Sequence, residues 1–150
     1  MLVDELPACI VVDASVALKW VLEEEYSERA IALAQGRQLL TSALFWPEAA
    51  NAIATRVRRG DMTRAEGNDA YLDLQAAPLQ TRPLQAEGVR AALAIAHDLA
   101  HPIYDCCYLA LAIAEAAVVV TADRRFRSAA MRLGSFADRV HLLHDMIVRS

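Results

Sequence analysis

The chain predicts an α/β fold with a largely parallel sheet. Two observations carry this. Short β-branched, apolar runs alternate with longer alanine-rich helical segments along the whole length. Glycine and proline punctuate the sequence between those segments, without a linker, repeat or low-complexity stretch that would divide it, so one domain over residues 1–150 is expected.

The segments follow in order. Residues 8–12 read as a buried strand bounded by Pro7, and Ala14 to Leu22 as a short helix. Ser27 is placed to cap a second helix over Arg29 to Gln35, which Gly36 ends. Gln38 to Thr41 is a short strand. Pro47 suits the first turn of a helix that runs to Arg59, with Ala50, Ile53, Ala54 and Val57 on one face and Gly60 at its end. Thr63-Arg64-Ala65-Glu66 matches a capping box and opens a helix to about Ala76. Leu79 to Leu84 reads as a strand weakened by Pro83, and Gln85 to Leu99 as a helix. Asp105 opens Cys106 to Ala116, a run apolar enough to be buried on most sides. Val118 to Val120 is the clearest β-branched strand. Arg124 to Leu133 forms a helix closed by Gly134, and Val140 to Leu143 a last strand.

Composition narrows the function classes. The chain has 150 residues, 56% of them hydrophobic, which suffices for a sizeable core. No apolar stretch reaches the ~20 residues of a membrane span, and the N-terminus lacks the basic start of a signal peptide, so a cytoplasmic protein is expected. Three cysteines without metal-ligand spacing read as free thiols. A net charge of −4 argues against a polycation that coats nucleic acid. Lys19 is nevertheless the only lysine, and arginine, the other basic residue, suits bidentate phosphate contact. Trp20, Tyr26, Phe45, Trp46 and Tyr71 are candidates for core or interface.

Four acidic residues stand at the ends of apolar runs: Asp13 after Cys9–Val12, Glu48 after Leu44–Pro47, Asp105 after Pro102–Tyr104, and Asp123 after Val118–Ala122. Burial of a carboxylate is costly unless it is paired, capping a helix or bound to a cation. Each could cap or begin a helix on its own. Together they point to one site at the carboxyl edge of the sheet. Two carboxylates about 4 Å apart repel by roughly 4 kcal/mol at an effective dielectric of 20, so the set demands protons or a cation. All-oxygen donors favour Mg²⁺ or Mn²⁺, which usually serve phosphate chemistry. Ser15 and Thr121, two residues from Asp13 and Asp123, are placed to orient a carboxylate. Arg124 and Arg125, next to Asp123, are candidates for phosphate contact. His97, His101, His141 and His144 form no zinc motif and read as structural or surface residues.

The segments Val11-Val12-Asp13-Ala14-Ser15, Pro47–Ile53, Tyr104–Ala112 and Val120–Phe126 resemble, in this order, those of the PIN domain family, and within it the VapC-type toxins of bacterial toxin–antitoxin pairs. The resemblance implies a three-layer α/β/α sandwich around a mainly parallel sheet. It implies an endoribonuclease that holds Mg²⁺ or Mn²⁺ on Asp13, Glu48, Asp105 and Asp123, a homodimer, and a small antitoxin whose tail enters the acidic groove. Two rival readings stand beside it. One is an aspartate-nucleophile phosphatase, disfavoured because Ser15 occupies the place of its second aspartate. The other is a PIN-like module that only binds a partner.

Overall fold

The computed structural model describes residues Met1–Ser150. Five strands, β1 (Cys9–Val12), β2 (Gln38–Ser42), β3 (Leu79–Arg82), β4 (Val118–Thr121) and β5 (Val140–Leu142), form one sheet in the order β3-β2-β1-β4-β5. Every pairing is parallel. The strands are short and apolar because helices cover both faces, which leaves no solvent face to mark with polar residues. Side chains alternate across the sheet. Val11, Leu40 and Val119 enter the larger core, while Ile10, Val12, Leu39 and Val120 enter a smaller one on the opposite face.

The helices are α1 (Ala14–Val21), α2 (Ser27–Leu33), α3 (Phe45–Arg58), α4 (Arg64–Ala76), α5 (Ala86–Leu99), α6 (Ile103–Ala114), α7 (Arg124–Met131) and the single turn α8 (Gly134–Ala137). The larger core gathers apolar residues of α1, α3, α4, α5, α6 and α7. The smaller takes Val16 of α1, Ala30 and Leu33 of α2, and the terminal residues Val3, Leu6, Leu143 and Met146. The result is the expected three-layer α/β/α sandwich.

Local differences from the sequence reading have local causes. Ser27 does not cap α2; its hydroxyl accepts from the Glu24 amide and donates to the Leu22 carbonyl, tying down the preceding turn. Tyr26, in the left-handed region at φ 67°, precedes the helix instead. Helix α6 begins at Ile103, so Asp105 lies within its first turn and does not cap it. Gly134 opens α8 and does not close α7, which ends at Met131. The capping box of α4 is present, with Thr63 and Glu66 each bonding the other's amide at 3.1 Å. Gly67 lets α4 approach α3 closely: a Cβ there would lie 3.0 Å from Ile53 Cγ2 and 3.1 Å from Val57 Cγ2.

The arginine-rich basic set has a structural use. Arg29, Arg37, Arg127, Arg132 and Arg139 donate to backbone carbonyls of His144, Leu33 and Val3, Ala137 and Val140, Leu99, and Ala117 respectively. A guanidinium with several donors can satisfy such carbonyls where one lysine amine cannot hold the same geometry. All three cysteines are free, Cys106 and Cys107 buried and Cys9 half-buried. Phe45 is fully buried and Trp20, Tyr26, Trp46 and Tyr71 are half-buried. No helix is long and apolar enough to cross a membrane.

Candidate active site

The order of strands reverses between β1 and β4, the two central neighbours, and open α/β sheets bind ligands outside the carboxyl ends of strands at such a switch point. Val12 pairs with Val120, so Asp13 and Thr121, the residues that follow, emerge side by side. Thr121 Oγ1 donates to Asp13 Oδ2 at 2.5 Å. Ser15 Oγ donates to Oδ1 at 2.5 Å, and the Val16 amide donates to the same oxygen at 3.2 Å as Asp13 caps α1. Asp13 thus combines both roles that its position allows. The cap fixes the carboxylate, and two hydroxyls hold its oxygens.

The hydroxyls are themselves fixed. Ser15 Oγ accepts from the Ala122 amide at 2.9 Å, and Thr121 Oγ1 accepts from the Asp123 amide at 3.0 Å. Asp123 caps α7 with Oδ1, which accepts from the Arg125 amide at 2.8 Å and the Phe126 amide at 3.3 Å, leaving Oδ2 uncommitted. Asp13 and Asp123 are therefore joined through Ser15 and Thr121 across the β1–β4 edge.

Glu48 and Asp105 arrive from the helical layer, from the first turns of α3 and α6. Each is held by a donor that the sequence reading did not assign. Tyr108, buried one turn beyond Asp105, donates its hydroxyl to Glu48 Oε1 at 2.5 Å. His101 Nε2 lies 2.7 Å from Asp105 Oδ2, and its ring stacks on Phe126 with centroids 5.6 Å apart. His101 was read as structural or surface; it contacts the site directly. The available signal was spacing: His101, Asp105 and Tyr108 fall at intervals of four and three residues.

The electrostatics tie the set together. Burial, with a smaller push from the charge of Asp105, raises the Asp13 carboxyl to about 6 against the lowering pull of its Ser15, Thr121 and Val16 hydrogen bonds. Burial also raises Glu48, with Tyr108 opposing and Asp105 adding. Asp105 is raised by burial and by Asp123, with His101 opposing. Asp105 is the common neighbour: it acts on Asp13 and Glu48 and feels Asp123. The Tyr108 hydroxyl is held protonated by burial and by the Glu48, Asp13 and Asp105 carboxylates.

The donor set is wholly oxygen and mutually repelling, which fits a hard divalent cation in chemistry. No three acidic, histidine or cysteine side chains stand close enough together to form a coordination shell. Arg124 and Arg125 lie exposed at the start of α7 and line a cleft of about 370 Å³ with Ala100, His101, Ser128, Ala129 and Arg132. A roomier cleft of about 710 Å³ between α3 and α4, lined by Ile53, Val57, Tyr71 and Leu72 among others, contains none of the four acids.

The fold and the carboxylates beside its switch point define a parallel α/β domain with an acidic site at the carboxyl edge of the sheet. The PIN domain family profile matches residues 10–131, and the chain belongs to that family. PIN domains are generally nucleases. No curated protein matches the chain in sequence. Among solved structures, PAE2754 from Pyrobaculum aerophilum superposes with a TM-score of 0.64 at 19% identity, over 90% of this chain and 83% of that one. The sarcin-ricin loop cleaving toxin VapC20 of Mycobacterium tuberculosis gives 0.61 at 16% identity, over 80% and 94%. VapBC2 from Rickettsia felis, bound to a DNA fragment from its promoter, gives 0.60 at 15%, over 89% and 96%. These likenesses show the fold.

Proposed function

We propose that this PIN domain is a metal-dependent endoribonuclease and the toxin of a VapBC-type toxin–antitoxin pair. The observation that carries the reading is a set of carboxylates held in place beside the switch point: Asp13 fixed by Ser15 and Thr121 at the carboxyl ends of the paired strands β1 and β4, Glu48 by Tyr108 and Asp105 by His101. Asp13, Glu48, Asp105 and Asp123 would hold Mg²⁺ or Mn²⁺. When bound, that ion supplies the Lewis acidity for phosphodiester hydrolysis and offsets charge on the phosphoryl oxygens.

The protein's own part is positioning. Ser15 and Thr121 present both oxygens of Asp13 in one orientation. Tyr108 orients Glu48, and His101 orients Asp105. Partners outside a ligand set commonly have this role. Burial makes ionised Asp13, Glu48 and Asp105 costly on their own, a cost that a proton or a bound cation offsets. Arg124 and Arg125 at the rim would steer the RNA backbone toward the acids.

The likeness to VapC20, a sarcin-ricin loop cleaving toxin, supports an RNA substrate, and that to VapBC2 supports an antitoxin partner; in this reading the antitoxin is small and its tail enters the acidic groove. Exposed Val89 and Leu93 on α5 and Ile113 on α6 support a homodimer. The test is cleavage of total RNA by purified protein in Mg²⁺. Wild type is expected to cut and Asp105→Asn to be inert; equal rates would overturn the mechanism.

A further inference from the structure

We propose that the α7 cleft and Tyr104 form a docking track for a single RNA strand, leading away from the acidic site. The inference rests on the ribonuclease reading and extends it to how the substrate is held. Arg124 and Arg125 head the track, Ser128 follows one turn on, and Arg132 two turns on, all lining the same cleft. At 1.5 Å per residue, Arg124 and Arg132 lie about 12 Å apart along the helix direction. Asp123 caps the helix, so the track begins next to an acid of the site and not at a remote patch. His101 closes the opposite wall while touching Asp105.

The guanidiniums are available for an anion. None of the three forms an ion pair with a carboxylate; the guanidinium–carboxylate pairs of the protein are Arg56–Glu24 and Arg82–Glu115. Arg132 is anchored through Nη2 to the Leu99 carbonyl at 2.7 Å, which holds the side chain while leaving other donors free. In a chain of net charge −4, with Asp105 and Asp123 adjoining the cleft, a polyanion needs such a local positive lane to approach.

Tyr104 supplies the second element. It is 59% exposed, the only exposed aromatic side chain in the protein, and it adjoins Asp105 in the first turn of α6. A basic groove together with an aromatic platform is the chemistry that holds an unpaired strand: cations follow the phosphates and a base stacks on the ring. A duplex, whose bases are already stacked, cannot use the ring.

Fluorescence anisotropy of a labelled 12-nucleotide RNA, in EDTA and across a NaCl series, tests this on the whole protein. Arg125→Gln/Arg132→Gln retains a donor for the Leu99 carbonyl but removes both charges. It is expected to weaken binding about tenfold per contact and flatten the log–log salt dependence by about 1.4, at about 0.7 per phosphate for a single strand. Tyr104→Ala is expected to weaken binding by at least fivefold with the slope unchanged, because stacking releases no counterions. Arg90→Ala on the outside of α5 is the matched control and should bind as wild type. An unaltered slope in the double variant, unaltered affinity in Tyr104→Ala, or a duplex bound as tightly as the strand overturns the track. Cleavage of the same RNA in Mg²⁺ separates this from the parent reading. A wild type that cuts while the arginine variants keep its binding slope refutes the track alone. A wild type that binds through the arginines yet never cuts refutes the nuclease alone.

Discussion

Replacing Asp13 by Asn should stabilise the metal-free protein at alkaline pH while abolishing its activity. Asp13 is buried, and its carboxyl is pushed from 3.8 to about 6 in the fold. A raised acid binds its proton more tightly folded than unfolded. This contribution to stability is full below about pH 3.8, fades as pH rises toward 6, and is lost above it. About two units at 1.36 kcal/mol each makes the ionised carboxylate cost about 3 kcal/mol at pH 8. Asparagine removes that cost. Its amide nitrogen must then face Thr121 Oγ1, which now donates to Asp13, and the mismatch returns about 1 kcal/mol. The expected net gain is about 2 kcal/mol at pH 8; it passes through zero near about pH 4.5 and turns into a loss approaching about 1 kcal/mol at pH 3, where only the mismatch remains. Urea unfolding followed by circular dichroism, in EDTA at about pH 8 and about pH 3, measures the difference. An equal effect of the substitution at both pH values, or a loss of stability at pH 8, would show that Asp13 carries no burial penalty and that its hydrogen bonds suffice for the anion.

Further outcomes follow from the same geometry. Tyr108→Phe keeps the ring in the core but removes the 2.5 Å donor to Glu48; Mn²⁺ affinity or activity should fall 10–100-fold, as calorimetric titration and cleavage rates will record. His101→Ala should bring a similar loss through Asp105, whereas a rate unchanged within twofold would reduce His101 to a packing residue on Phe126. Mg²⁺ at about 100 times its dissociation constant should add about 2.7 kcal/mol to the wild type, seen as a rise in Tm, and nothing to Asp105→Asn. Gly67→Ala must push aside Ile53 and Val57; the strain, about 1–3 kcal/mol, should outweigh the gain of up to about 1 kcal/mol in helix propensity and lower Tm by several degrees in a thermal melt.

Much of this was legible in the sequence because it is local. The β-branched run Val118–Val120, the capping box at Thr63, and Gly36 and Gly60, both at positive φ just beyond the helices they end, act within a few residues of themselves. The same locality placed Asp13 and Asp123 at strand ends, since the residue that follows a short buried strand before a helix must sit at the carboxyl edge. The family segments added the three-layer architecture, which period and propensity cannot supply. Where local signals competed, boundaries shifted: the hydroxyl of Ser27 served the preceding turn, and α6 began before its acid.

What the tertiary structure decided is how the acids are held. Thr121 reaches Asp13 across 108 residues of sequence, and Tyr108 reaches Glu48 across 60. Neither pairing has a spacing signal, because it arises from the register of β1 on β4 and from the packing of α6 on β1 and on β2, the strand that leads into α3. The Asp13 carboxyl near 6 likewise follows from burial and from Asp105, both properties of the folded surroundings. The sequence alone determined that four carboxylates, two hydroxyls and a pair of arginines stand where strands end and helices begin. Only the folded chain decided that Asp105 is their common neighbour, and that Tyr108 and His101 stand behind them, because distances through space are set by sheet order and helix packing and not by position along the chain.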